Sequence, residues 1–418
     1  MKYKVFSLNL SSLYGMQAIL TLFPILIIPL LVKVLGIDGY ADYVLIVALF
    51  GMFETVVAYS FRTTATREAS HVKNDGEMSE LISSVTGIRL LLAAFAVLVF
   101  FFVIEIFYSS KELEVSGITL SFILAIRLVG FIFTNEWYFQ ATQNTKVLLV
   151  TTFVSRVLFV AYLFLPRDID LGYVLLGNSI MYTFVGCIVV CYIQRFSGVK
   201  FVIPDVGTMI TRFKNGKDLF LSSLGVYFYT NINTVFVSSF LSSEFVAVYS
   251  VAEKVYRGAS SLFAPINRAF YPVLLRFYKE NINKFSRVTV NIYTLQLVAA
   301  VVVSVGLDYF KMPILQYFLD GQPLTQEAVL FFSHFLYLTI LFVVSAFTTY
   351  VLIIFNMDKK VKQITVVFGF VNVITVPLVL NFLPFIYVFW AVFIIMLLVS
   401  LVQTKECISY LRKAKRSA

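Results

Sequence analysis

Apolar runs of about twenty residues, the length that carries an α-helix through a bilayer, recur along the whole chain and are cut by short polar tracts. Measured against that length, the pattern predicts twelve spans, near residues 9–34, 40–61, 82–108, 116–139, 146–165, 172–193, 218–240, 245–267, 288–310, 328–355, 361–381 and 384–402. The eighth is the least apolar of them. The longest polar connection, residues 194–217, is too short for a soluble domain. The expected fold is therefore an all-α polytopic membrane protein. The opening stretch through Gly36 is too long for a signal peptide and lacks a small-x-small cleavage site, so it reads as a retained first helix.

Charge placement gives the orientation. An even number of spans puts both termini on one side, and 24 of the 33 Lys and Arg fall on that side. Only Lys33, Lys111, Arg167 and Lys311 fall on the other. Basic residues mark the cytoplasmic face, so both termini are expected to be cytoplasmic. With 60% hydrophobic and 13% charged residues, the net charge of +10 is largely topology, and a nucleic-acid partner is not expected. Of the three cysteines, Cys187 and Cys191 sit in one apolar run and Cys407 in the basic tail. That spacing suggests packing rather than a disulfide framework. No glycine-rich phosphate loop, metal-ligand spacing or nucleophile constellation is present, so no catalytic residue, metal or cofactor is expected, and the chain does not read as an enzyme.

A faint repeat aligns GIDGYADYVLIVALF (36–50) with SSEFVAVYSVAEKVY (242–256), matching Asp38 with Glu244, Ala41 with Ala247 and Tyr43 with Tyr249. The offset of 206 is close to half the chain. Six spans per half keep the halves in the same orientation. The expectation is two six-helix lobes, 1–193 and 218–403, joined by a cytoplasmic segment, 194–217, and followed by a basic tail, 404–418. A pseudo-twofold axis along the membrane normal would relate the lobes around a central cationic cavity.

Four cations sit too deep for lipid. At 1.5 Å per helical residue, Arg127, Arg156, Lys254 and Arg257 lie about 14–18 Å from the ends of their predicted spans, near the middle of a ~30 Å core. Each costs about 3 kcal/mol if it faces hydrocarbon, so each must face protein or water. Glu253 is one helical turn from Arg257 and can pair with it. Glu54 or Glu136 can take another cation, yet three acids still leave one of the four unpaired. Lys254, Arg257, Ser261 and Arg268 share a polar stripe, and Pro265 can kink it. This points to a hydrated, positive site for an anion, which Arg binds with a planar fork and Lys as a mobile point charge. Asn231, Asn233 and Thr234 in the seventh span can contact sugar hydroxyls or a coupling ion, or else bond neighbouring helices. Pro24 and Pro29 make the first span a candidate hinge. His334 reads as a packed histidine rather than a proton relay.

These residues also resemble a known family. NEWYFQATQNTK (135–146) resembles the Glu-Trp-aromatic-Phe-Gln stretch after the fourth helix of bacterial polysaccharide-unit flippases of the Wzx type. EKVYRGASSLFAPINRAFYPVLLRF (253–277) is similar to their eighth-helix segment, with Tyr271 and Pro272 at its Tyr-Pro. NLSSLYGMQ and FRTTATREASH fit as well, and the similarity runs over essentially the whole chain. Ala141 departs from the pattern, where relatives often carry Gly.

The resemblance implies a member of the multidrug/oligosaccharidyl-lipid/polysaccharide exporter superfamily, in a bacterial inner membrane. Its members move an undecaprenyl-diphosphate-linked oligosaccharide from the cytoplasmic to the periplasmic leaflet by alternating access, driven by H+ or Na+. Arg127, Arg156, Lys254 and Arg257 would then meet the diphosphate or its sugars. The implied partners are the lipid-linked substrate, membrane lipids, a polysaccharide polymerase and a chain-length regulator, with the chain acting as a monomer. Two other readings compete. A multidrug extruder of the same fold usually takes cationic substrates. A membrane glycan polymerase or ligase usually needs a long periplasmic loop.

Overall fold

The computed structural model describes residues 15, 18–108, 113–165 and 169–417, apart from the side chains at 107, 108, 268, 272 and 413–417. Apart from Gly15, the motif at 9–17 and the start of the first predicted span lie outside the described residues. So do Lys2, Lys4, Lys111, Arg167, and the side chains of Arg268, Pro272, Lys413, Lys415 and Arg416.

The described chain is all helix, with no strand among the described residues. After helical residues 18–26 come α1 Ile28–Ala58, α2 Phe61–Ala69, α3 Asp75–Tyr108, α4 Gly117–Phe133, α5 Glu136–Ala141, α6 Lys146–Tyr162, α7 Leu171–Phe196 and α8 Val206–Thr230. Then follow α9 Ile232–Phe240, α10 Ser243–Ser261, α11 Ala264–Glu280, α12 Ile282–Tyr309, α13 Lys311–Phe318, α14 Gln326–Leu336, α15 Leu338–Ile354, α16 Asp358–Phe382 and α17 Tyr387–Ser417. Eight helical stretches among the described residues are long and apolar enough to cross a membrane. The chain is a multi-pass membrane protein.

Several boundaries differ from the hydropathy reading, each for a backbone reason. At the predicted separation of the first and second spans, 34–40, α1 carries a kink: Gly36 (φ 69°, ψ −179°) leaves helical geometry. Glycine reaches that positive φ without a Cβ clash, so the polar LGIDGY holds the break between two helical segments. Pro29 sits at the second position of α1, where a missing N–H costs little. The seventh span is broken at Asn231 and the tenth at Tyr337. The eighth ends at Ser261, and Pro265 occupies the second position of α11. A proline ring collides with the carbonyl four residues earlier, here that of Ser261, so α10 cannot continue past it. Residues 194–217 contain the end of α7 at Phe196 and the start of α8 at Val206. Asp205 starts α8: its carboxylate accepts from the backbone N–H (2.7 Å) and hydroxyl (3.0 Å) of Thr208. Those hydrogen bonds hold its pKa below the usual carboxylate value.

Cα clustering gives two compact units, described residues up to Ile27 with Val34–Leu224, and Ile28–Lys33 with Gly225–Ala418. In the first, α4 packs on α7 and α3. Gly130 and Gly186 permit that approach: a Cβ on Gly186 would lie 2.7 Å from the Gly130 carbonyl, and one on Gly130 would collide with the backbone of Tyr182 and Thr183. The stretch before α8 is tied to α3 through the N–H groups of Lys200 and Val202, which donate to Ser79 and Ser83. The α8 start is held by Arg212, bonded to both oxygens of Glu68, and by Tyr59, stacked against Phe213 and Phe220. In the second unit, α10 packs on α14, and α17 packs on α15 and α16.

Candidate functional site

The deep cations form two clusters, one inside each unit. In the first, Arg127 leaves α4 beside α1 and α7. Its Nε donates to Glu54 Oε1 at 2.6 Å and its Nη1 to Asn178 Oδ1 at 2.5 Å. Its guanidinium also lies 4.2 Å from the Tyr182 ring centroid. Arg127 and Glu54 are 6% and 17% exposed, so this pair is desolvated and mutually neutralised.

Arg156, on α6, is in a different state. It stacks near Phe23 (5.1 Å) and Tyr182 (5.3 Å), and its Nη2 reaches the Tyr182 hydroxyl at 3.4 Å. No carboxylate pairs with it among the described residues, and its Nε is buried without a partner. Tyr182 is therefore shared by both guanidinium groups, and its ring face offers negative quadrupole to each. Arg156 lines a cavity of about 130 Å3 together with Glu54, Glu136, Thr134, Thr152 and Ser155.

The second cluster is built on the break between α8 and α9. Ending α8 at Thr230 frees a backbone carbonyl, and Arg257 of α10 donates to it through Nη2. Its Nη1 donates to Asn231 Oδ1 at 2.9 Å, and Nη2 also pairs with Glu253 at 2.7 Å, one turn away. Thr234 donates to the other oxygen of Glu253 at 2.9 Å. Arg257 thus stitches a broken helix. Lys254 is bonded through Nζ to Ser250 Oγ at 2.5 Å and has no carboxylate partner among the described residues.

The sequence-named residues therefore separate. Arg127 meets Glu54, and Arg257 meets Glu253, Asn231 and, through Glu253, Thr234. Asn233 lies apart from these, accepting from Asn372 Nδ2 at 2.7 Å. Two of the four cations, Arg156 and Lys254, keep charge that no acid pairs among the described residues. His334 sets Nδ1 2.7 Å from the Leu330 carbonyl and packs on Phe389. Cys187 and Cys191 are exposed rather than packed.

Three residues escaped the sequence reading. Asn178 and Tyr182 sit one turn apart on α7 and gave no signal beyond being polar in an apolar run. Arg89 was counted with the cytoplasmic basic residues, but it is 6% exposed and donates to the carbonyls of Ile132 (2.9 Å) and Phe131 (3.2 Å). It caps the C-terminal end of α4, just before Asn135 takes a left-handed φ of 42° and α5 begins with Glu136. Its place seven residues inside the run beginning at 82 was the available clue.

Comparison with known proteins bears on this arrangement. A 258-residue stretch is 25% identical to a Shigella dysenteriae protein provisionally named as an O-antigen transporter. The match spans 60% of this chain and 63% of that protein's length. Among solved structures, an inward-facing multidrug resistance transporter of the MATE family, in the MOP superfamily, superposes with a TM-score of 0.73 at 11% identity, over 98% of this chain and 99% of that one. The lipid II flippase MurJ, in an inward closed conformation, superposes with a TM-score of 0.71 at 15% identity, over 97% of this chain and 89% of that one. These likenesses establish the fold. The family model for polysaccharide biosynthesis proteins matches residues 7–278, and the chain belongs to that family.

Proposed function

We propose that the protein is a flippase of the Wzx type, carrying a polyprenyl-diphosphate-linked oligosaccharide from the cytoplasmic to the outer leaflet of a bacterial inner membrane. One observation carries the reading: Arg156 and Lys254, deep in the predicted spans, form no ion pair with a carboxylate among the described residues. A permanent cation in that position costs several kcal/mol unless water or an anion meets it. A diphosphate-linked glycan brings an anion and hydroxyls together, and its lipid tail stays in the bilayer. The family, the O-antigen transporter relative and the MurJ-like fold support the same reading.

The finer parts of the proposal are these. Twelve spans form two six-helix lobes, with both termini cytoplasmic. Access alternates between the leaflets, and an H+ or Na+ gradient drives it. Pro24, Pro29 and Pro265 are the bending points. The chain acts as a monomer, handing cargo to a polymerase and its chain-length regulator. The protein is a transporter and not an enzyme.

The test is genetic. In cells that depend on this chain, Arg156→Gln and Lys254→Gln are expected to abolish surface polysaccharide and to accumulate the lipid-linked precursor, while the protein still reaches the membrane. Normal polysaccharide from both single variants and the double variant would remove the anion site.

A further inference from the structure

We infer that the stretch joining α7 to α8, residues 196–213, together with Lys214, is a lipid anchor. Its apolar side chains enter the adjoining leaflet, and Lys200 and Lys214 hold the phosphates of anionic lipid headgroups. Nothing in this depends on the cargo, so it stands or falls apart from the flippase reading. By composition the stretch was a cytoplasmic connection; its depth and its exposed side chains place it at the lipid surface.

Depth comes from α3. Ser79, Ser83 and Gly87 lie about one turn apart on one face of α3, and the connection descends that face rung by rung. The Lys200 N–H donates to Ser79 (2.9 Å) and the Val202 N–H to Ser83 (2.8 Å). Pro204 and Met209 crowd Gly87, where a Cβ would lie 3.3 and 3.1 Å from them. Ser79 stands before the span predicted to begin at 82, and Gly87 stands inside it. At 1.5 Å per residue the chain therefore passes from outside the apolar layer to about 7 Å within it. An interfacial helix rests its apolar face at that depth, ~5–10 Å.

There the chain turns apolar side chains outward. Among the described residues Ile203 is 97% exposed, and Val206, Ile210 and Phe213 are exposed along one stripe of α8. The first turns of α8 thus carry three bands. Met209, Arg212 and Gly216 face the protein, against Gly87, Glu68 and Tyr59. Thr211 and Asp218 are exposed and polar. The apolar stripe lies between these bands. A helix packed on a protein in water needs only a buried and a polar face. The third band fits a helix lying partly in hydrocarbon.

Charge names the lipid. Residues 195–218 hold five cations and two acids, and residues 61–80, packed against them, add three cations and four acids, so two cations remain in surplus. Arg212 is occupied by Glu68 at 2.6 Å. Lys200 and Lys214 are exposed and form no ion pair among the described residues. Lys200 sits level with Ser79, outside the apolar layer. Lys214 follows Phe213, whose carbonyl accepts from the Tyr59 hydroxyl (2.8 Å) near the end of the second predicted span. Each can lay its stem on apolar surface and carry its charge to a lipid phosphate, and anionic leaflets attract such side chains.

The experiment uses the full chain in nanodiscs and has two arms. Ile203→Trp and Thr211→Trp each add one indole, and brominated acyl chains quench an indole that reaches hydrocarbon. After subtraction of the unmodified chain's emission, the indole at 203 is expected to be quenched and that at 211 spared. Quenching no greater at 203 than at 211 would overturn the anchor. Blue-shifted, unquenched emission at 203 would show a protein cover in place of lipid and would overturn it as well. In the second arm, amide exchange over residues 198–213 is compared in phosphatidylcholine and in phosphatidylglycerol. One lysine at a charged leaflet is worth roughly fivefold, so the two should slow exchange on the order of tenfold in the anionic lipid. Lys200→Gln with Lys214→Gln should remove that difference, and Lys200→Arg with Lys214→Arg should keep it. Exchange alike in both lipids, a difference that survives the Gln pair, or one lost with the Arg pair would overturn the headgroup contact.

Discussion

The buried pair of Arg127 and Glu54 makes a sharp quantitative prediction. At 2.6 Å the gross attraction is about 6 kcal/mol for an effective dielectric of ~20, and desolvation of both groups offsets much of it. Removing one partner leaves the other charged in a dry site, which costs about 3–5 kcal/mol. Arg127→Met and Glu54→Leu should therefore each destabilise by that amount. In a cooperative unit of this size that lowers Tm by on the order of 10 °C. The double variant leaves no uncompensated charge. It loses the bond to Asn178 Oδ1, at about 1–3 kcal/mol, and the stacking on Tyr182, but strands no charge, so it should melt above both single variants. The assay is loss of helical circular dichroism on heating the purified chain in mild detergent, run as a double-mutant cycle. A double variant whose loss equals the sum of the two single losses would refute the claim that these charges neutralise each other.

Three further outcomes follow from particular contacts. Gly130→Ala places a Cβ against the Tyr182–Thr183 backbone, where only helix separation relieves the clash. It should cost at least about 1–3 kcal/mol, seen as a lower melting temperature, and an unchanged melt would show that the helices are not held at that approach. Thr234→Val removes the donor to Glu253 Oε2. It should destabilise by about 1–3 kcal/mol, with Ser at the same position restoring most of the loss. Arg212→Ala breaks the contact with Glu68, which is 44% exposed. Its effect on overall stability should stay within about 1 kcal/mol, but amide exchange over residues 198–213 should rise, and exchange identical to the unmodified chain would contradict the tether.

Fold class was legible because hydropathy over twenty residues is a strong signal, and an apolar chain has few ways to satisfy its backbone in lipid other than helix. Helix breaks were less so. Asn231 and Tyr337 interrupt apolar runs without changing their hydropathy, whereas the kink at Gly36 falls in a polar stretch that hydropathy does mark. The contact of Glu253 with Arg257 is within reach of a spacing argument, since one turn brings the two together. Glu54 and Arg127 stand 73 residues apart, so only the tertiary fold makes them partners. Tyr182 was invisible for a related reason. One tyrosine among 24 carries no mark that it will sit beside two guanidinium groups. Arg89 was misplaced because a count of basic residues assigns sides and not burial. Its real partners are carbonyls at the end of α4, which no side-chain pattern encodes.

The most direct measurement is transbilayer movement of a polyprenyl-diphosphate-linked sugar in vesicles holding the purified chain, with and without an ion gradient. The unmodified chain should expose labelled lipid to an impermeant probe in the opposite leaflet, and Arg156→Gln with Lys254→Gln should hold it where it began. Equal movement by both chains would contradict the role given to the two unpaired cations, and movement by neither would contradict the transport itself.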